Sequence, residues 1–137
     1  MLFRLRCHGR DKIPEKGAVL ICSNHQSYLD PVLLGVCFNE SINFLARKTL
    51  FRSKLFGWAI AYLDAIPIDR EGMSLEGIKE TLRRLKRGER VLMFPEGTRS
   101  EDGNLGEIKP GVCALARRGK AAILPMAVDG AYDAWPR

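Results

Sequence analysis

No run of this 137-residue chain is apolar for long enough to span a bilayer, which takes about 20 residues. The longest candidate, LFGWAIAYLDAIPI at 55–68, is short and contains Asp64. Strand-like alternation begins directly after Met1, so no signal peptide is expected. Cysteine is sparse: Cys7, Cys22, Cys37 and Cys113 form no CxxC pair and lie in apolar stretches. That pattern reads as buried free thiols in a reducing compartment, with no metal site supported by spacing. No GxxxxGK[ST] occurs, so a nucleotide P-loop is unsupported. Linkers, internal repeats and low-complexity segments are absent too, which leaves a single domain over 1–137.

What is present suits a folded core. Hydrophobic residues make up 46% and charged residues 28%, an ordinary globular balance that argues against disorder. A net charge of +6 fits a phosphate-bearing partner or an anionic membrane surface without choosing between them.

Hydrophobic patterning gives alternating elements. Residues 2–7 alternate as a half-buried or edge strand would, and 18–22 (AVLIC) read as a buried strand. A helix is expected over 31–38, with Asp30 as N-cap and Pro31 at the first helical position. Further strands are expected at 42–46, 65–68, 91–94 and 122–124. Helices are expected at 54–62 and 110–116, and most clearly at 74–87, where Leu75, Ile78, Leu82 and Leu85 share a face between Ser74 and Gly88. The fold class that follows is α/β: one layered domain with a central, largely parallel or mixed sheet flanked by helices. The chain begins without a lead-in and stops at AWPR soon after a core strand, so the domain is expected to be truncated at both ends, with C-terminal strands missing.

Chemistry concentrates in two strand-end loops. In NHQSYLD, His25 precedes Asp30 by five positions. On one continuous helix these would be rotated apart by about 140°. They can meet if His25 lies in the loop and Asp30 at the helix start. A carboxylate beside an imidazole fixes its tautomer and stabilises the imidazolium, the arrangement of a general base near neutral pH. A plain N-cap and a polar loop histidine would give the same spacing. In FPEGTRS, Gly97 permits close backbone approach, Arg99 offers a fork to phosphate or carboxylate, and Glu96 can accept from a hydroxyl. A solvated turn with an ion pair is the alternative. Arg70 and Lys109 are expected at comparable strand-end and helix-start positions, where a phosphate is favoured. Arg83, Arg84, Lys86, Arg87 and Arg90 read as a solvated face or, more sharply, a contact for anionic headgroups. Phe56 and Trp58 read as core, with an acyl-chain groove or membrane-facing surface as the alternative.

Taken in order, NHQSYLD, AIPIDR, FPEGTRS and ILPMAV resemble the motifs of the glycerophospholipid acyltransferase family, nearest to its bacterial 1-acyl-sn-glycerol-3-phosphate acyltransferase branch. The resemblance runs from about residue 9 to the C-terminus. It implies transfer of a fatty acyl group from acyl-CoA or acyl carrier protein, used as co-substrate without a cofactor, to the hydroxyl of 1-acylglycerol 3-phosphate in phospholipid synthesis. Glycerol 3-phosphate or another lysolipid is the alternative acceptor, and a thioester hydrolase using the same base is the alternative reaction. By the same resemblance His25 is the base, Asp30 holds it, and Glu96, Gly97, Thr98 and Arg99 bind the glycerol phosphate with Arg70 and Lys109. No acyl-enzyme is required, because the acceptor oxygen is itself the nucleophile; a backbone N–H near the loop is expected to stabilise the oxyanion. Implied partners are a lysophospholipid acceptor, the thioester donor and the membrane surface, at the cytoplasmic face of the cell membrane; nucleic acid is not among them. Family members commonly carry an apolar helical segment before the first strand and further strands after the fourth motif, neither of which is found in this chain.

Overall fold

The computed structural model of the chain describes residues 4–52, 57, 58, 60, 61, 64–68 and 74–136. Short apolar runs between polar turns become the strands β1 (Val19–Ser23), β2 (Asn43–Arg47), β3 (Ala65–Ile68), β4 (Arg90–Met93) and β5 (Ala122–Met126). They form one sheet in the order β3-β2-β4-β1-β5. Every pairing in it is parallel. The helices with described bounds are α1 (Asp30–Gly35), α2 (Leu75–Lys86), α3 (Gly111–Gly119) and α4 (Ala131–Ala134), with 3-10 turns at Arg10–Lys12 and Lys48–Arg52; Gly57, Trp58, Ile60 and Ala61 are helical as well, as expected for 54–62.

Side chains alternate across the pleat, so each central strand feeds both layers. Val19, Ile21, Phe44 and Leu92 pack against Leu34 of α1 and Phe38 just beyond it. On the opposite face Leu20, Val91 and Met93 meet Leu85 of α2 and Val112, Leu115 and Ala116 of α3. Covering both faces is what a parallel sheet requires. Ser74 caps α2, its hydroxyl accepting from the Gly77 N–H at 3.1 Å, and Gly88 at φ 79° turns the chain out of it. Because β4, β1 and β5 are neighbours and run the same way, the loops that follow them emerge side by side at one edge.

The two helices of the second layer touch where Gly119 faces Leu85. A Cβ at Gly119 would lie 2.7 Å from Leu85 Cδ1 and 2.8 Å from Leu85 Cβ. The gain of about 0.5–1 kcal/mol from replacing a helical glycine is therefore outweighed by overpacking of about 1–3 kcal/mol. Gly119→Ala is expected to lower the melting temperature by a few degrees, measured by circular dichroism; a more stable variant would show that the helices separate freely here.

Several positions differ from expectation. Residues 4–9 form no strand. Their alternation finds no ladder partner, and the segment instead lines a cavity with residues 123–129 beside β5. Cys37 is buried and Cys7 and Cys22 are half-buried, but Cys113 is exposed, because α3 turns Val112 and Leu115 inward. Burial pushes the Cys22 and Cys37 thiols up to about 11, aided respectively by Cys113 and Cys7. Trp58 is 68% exposed, being rotated away from the buried Gly57 and Ile60. Phe56 and the rest of 53–56 lie outside the described residues. Leu75, in the first turn of α2, is exposed rather than packed. The basic run divides: Arg83, Lys86 and Arg87 are solvated, whereas Arg84 and Arg90 turn inward. Arg84 bonds Glu80, Asn43 and Glu89, and Arg90 bonds Glu40 and the carbonyls of Pro14 and Glu15. A guanidinium at a sheet rim reaches several acceptors at once, which a sequence pattern does not reveal.

Candidate active site

The loop leaving β1 is tied down residue by residue. The Asn24 amide donates to the Val128 carbonyl and accepts from the Val128 N–H, both at 2.8 Å, which joins the β1 and β5 exits. His25 donates its backbone N–H to Glu96 at 2.7 Å, and its carbonyl accepts from the Ser100 N–H at 2.7 Å. Gln26 Nε2 donates to the Gly103 carbonyl at 2.9 Å, and Ser27 Oγ to the Trp135 carbonyl at 2.6 Å.

Asp30 closes this loop. It is 0% exposed. Its Oδ2 lies 2.8 Å from His25 Nδ1 and accepts from the N–H groups of Gln26 at 2.6 Å and Ser27 at 2.8 Å. Asp30 is the first residue of α1 and caps nothing in that helix, whose N-cap position is Leu29. A buried carboxylate with three donors on one oxygen favours the tautomer that carries its proton on Nδ1. The ring's Nε2 is then an acceptor, and it has no hydrogen-bond partner among the described residues. Phe94, the first residue after β4, stacks on the imidazole at 3.8 Å between centroids and 12° between planes. The imidazole is thus fixed at its edge by Asp30 and at its face by Phe94.

Glu96 also has a structural role. It is 6% exposed, and both carboxylate oxygens are committed to backbone: Oε1 to the His25 N–H and Oε2 to the Gly106 N–H, each at 2.7 Å. The carboxylate ties the two loops together, and each oxygen keeps a further lone pair beside the recess that Glu96 lines. Gly97, at φ 75°, turns the chain beyond it.

Arg99 supplies the charge. It is 9% exposed, its Nη1 has no hydrogen-bond partner, and no carboxylate among the described residues pairs with it. Its guanidinium carbon sits 3.5 Å from the centroid of the Tyr28 ring. His25, Tyr28, Gly97 and Arg99 line one cavity together with Arg47 and a mostly apolar set that includes Val32, Phe44, Leu50, Ile60, Leu92 and Met93. Arg99 also borders a second recess with Glu96, Thr98 and Lys109.

Of the residues singled out from sequence, His25, Asp30, Glu96, Gly97 and Arg99 therefore share one locus. Thr98 is exposed on the second recess, as is Lys109, whose Nζ lies 3.9 Å from Glu107. Arg70 lies outside the described residues. Phe94, Tyr28 and Asn24 had no assigned role in the sequence reading. Their only signal is position: an aromatic at a strand exit, a residue just before the histidine and one three positions after it.

The sequence matches the Acyltransferase family model over residues 4–129. It is 34% identical over 128 residues to the 1-acyl-sn-glycerol-3-phosphate acyltransferase of Bacillus subtilis, covering 92% of this chain and 63% of that protein. To the protein of the same name from Pseudomonas aeruginosa it is 37% identical over 138 residues, covering 98% and 52%. The crystal structure of the 1-acyl-sn-glycerophosphate (LPA) acyltransferase PlsC from Thermotoga maritima superposes with a TM-score of 0.79 at 28% identity, covering 95% of this chain and 52% of that one. The chain thus spans less than two thirds of the length of each of these relatives.

Proposed function

The chain belongs to the acyltransferase family, and from that premise we propose that it transfers a fatty acyl group from a thioester to the free hydroxyl of 1-acylglycerol 3-phosphate. The observation that carries this reading is the shared cavity, where a histidine held by a buried aspartate and a buried arginine with no counter-ion among the described residues line a mostly apolar space. A cation left this way is costly to bury and favours an anionic occupant.

In the reaction, Arg99 receives the acceptor's phosphate through its fork of donors. His25 Nε2 takes the proton of the acceptor hydroxyl as that oxygen forms its bond to the thioester carbonyl carbon. Asp30 offsets the charge of the imidazolium. The tetrahedral intermediate collapses, the carbon–sulfur bond breaks, and the imidazolium returns its proton to the departing thiolate. The acyl chain lies along the cavity's apolar residues. Acyl-CoA or acyl carrier protein supplies the thioester, no cofactor takes part, and the chain works peripherally at the cytoplasmic face of a membrane as a step of phospholipid synthesis. No helix among the described residues is long and apolar enough to cross a membrane. Thr98, Lys109 and Arg70 extend the binding of the phosphate and glycerol beyond Arg99.

The test is a matrix of lysophosphatidate and glycerol 3-phosphate against both thioesters, with product identified by mass. Acyl transfer to lysophosphatidate is expected, with thiol release dependent on acceptor; release independent of acceptor would indicate a hydrolase instead. Arg99→Ala is expected to raise the acceptor's KM roughly 10- to 100-fold, the value of one or two hydrogen bonds to a charged group. A rise confined to the thioester's KM would misplace the phosphate.

A further inference from the structure

We propose that Tyr28 is a positioning residue for the acceptor's phosphate, acting through Arg99; this rests on the reading that Arg99 binds that phosphate. The ring lies face-on to the guanidinium at 3.5 Å. Nothing else described holds that end of the side chain, since Nη1 has no hydrogen-bond partner. A planar guanidinium stacked on an aromatic face keeps its N–H groups in plane, directed edgewise. The edge then presents donors to a phosphate in the cavity that Arg99 and Tyr28 both line. Stacking also lowers the cost of holding the charge out of water while that place is empty.

The platform itself is fixed. Tyr28 sits between His25 and Asp30, and the Leu29 N–H behind it donates to Ser27 Oγ at 3.1 Å, which is itself anchored to the Trp135 carbonyl. One short loop therefore carries both the base and the support for the phosphate-binding arginine. Their separation sets where the acceptor hydroxyl lies when its phosphate is bound. The Tyr28 hydroxyl has no hydrogen-bond partner among the described residues, so the ring face and not the hydroxyl carries the role.

The experiment compares Tyr28→Phe, Tyr28→Leu and Arg99→Ala in steady-state kinetics, and in calorimetric binding of glycerol 3-phosphate to the same proteins. Tyr28→Leu is expected to raise the acceptor's KM and weaken glycerol 3-phosphate binding by roughly 2- to 30-fold, the range of a cation–π contact. The thioester's KM should stay within about twofold, and Tyr28→Phe should restore the acceptor's KM. A purely structural role would disturb both substrates together. Unchanged acceptor binding in Tyr28→Leu, with binding lost in Arg99→Ala, overturns the role of Tyr28 alone. So does an equal loss in Tyr28→Phe and Tyr28→Leu. Unchanged binding in Arg99→Ala, or no binding by the parent protein, overturns the phosphate site and this proposal with it.

Discussion

His25→Ala is expected to reduce acyl transfer roughly 10²- to 10⁴-fold, the contribution of a positioned general base. The loss should fall on kcat, because in the proposed mechanism Arg99 holds the phosphate and the cavity's apolar residues the acyl chain, neither through the imidazole. Truncation leaves the local fold in place: the bonds that fix this residue to Glu96 and Ser100 are made by its backbone N–H and carbonyl. Steady-state rates at saturating acceptor, paired with a thermal melt, separate loss of chemistry from loss of structure. A folded His25→Ala protein with the parent rate would remove the base from the mechanism.

Asp30→Asn is expected to cost a similar factor for a different reason. In a Ser–His–Asp triad the equivalent change lowers kcat about 10⁴-fold, because the imidazole adopts the wrong tautomer. Here the substitution also removes the only carboxylate that touches the ring among the described residues. The amide keeps the size of the side chain, but its single oxygen must still satisfy the Gln26 and Ser27 N–H groups, which now bond Oδ2 at 2.6 and 2.8 Å. A fall of a few degrees in melting temperature should therefore accompany the loss of rate. Since the two residues act as one unit, the double variant should be no slower than the worse single one. Losses that multiply in the double variant would show that Asp30 acts independently of His25.

The layered α/β fold was legible because each strand is a short apolar run between turn residues, as AIPI and VLMF illustrate, and each lies within a residue or two of its expected bounds. Residues 4–9 were not legible, since alternation describes a face but supplies no neighbour to pair with. The meeting of His25 with Asp30 followed from placing one in a loop and the other at a helix start. What Glu96 bonds was hidden: its partners are backbone N–H groups, identical in every residue, one of them 71 positions away. The stacking of Phe94 on His25 and of Tyr28 under Arg99 was hidden too, because such pairs depend on which loops the sheet order places side by side.

That sheet order makes Glu96 a rivet between two stretches of chain. One oxygen grips the backbone of His25 and the other grips that of Gly106, ten residues on. The excursion between Glu96 and Gly106 therefore has a set length. Adding or removing a residue inside it would drag on the imidazole's own backbone, however far from the chemistry the change was made. Freedom to diversify is left to Leu105, Glu107 and Ile108, whose side chains are exposed, and not to Gly106, where a Cβ would lie 2.9 Å from Glu96 Oε2. An engineer seeking to alter acceptor choice would do better to exchange residues on that rim than to resize the loop.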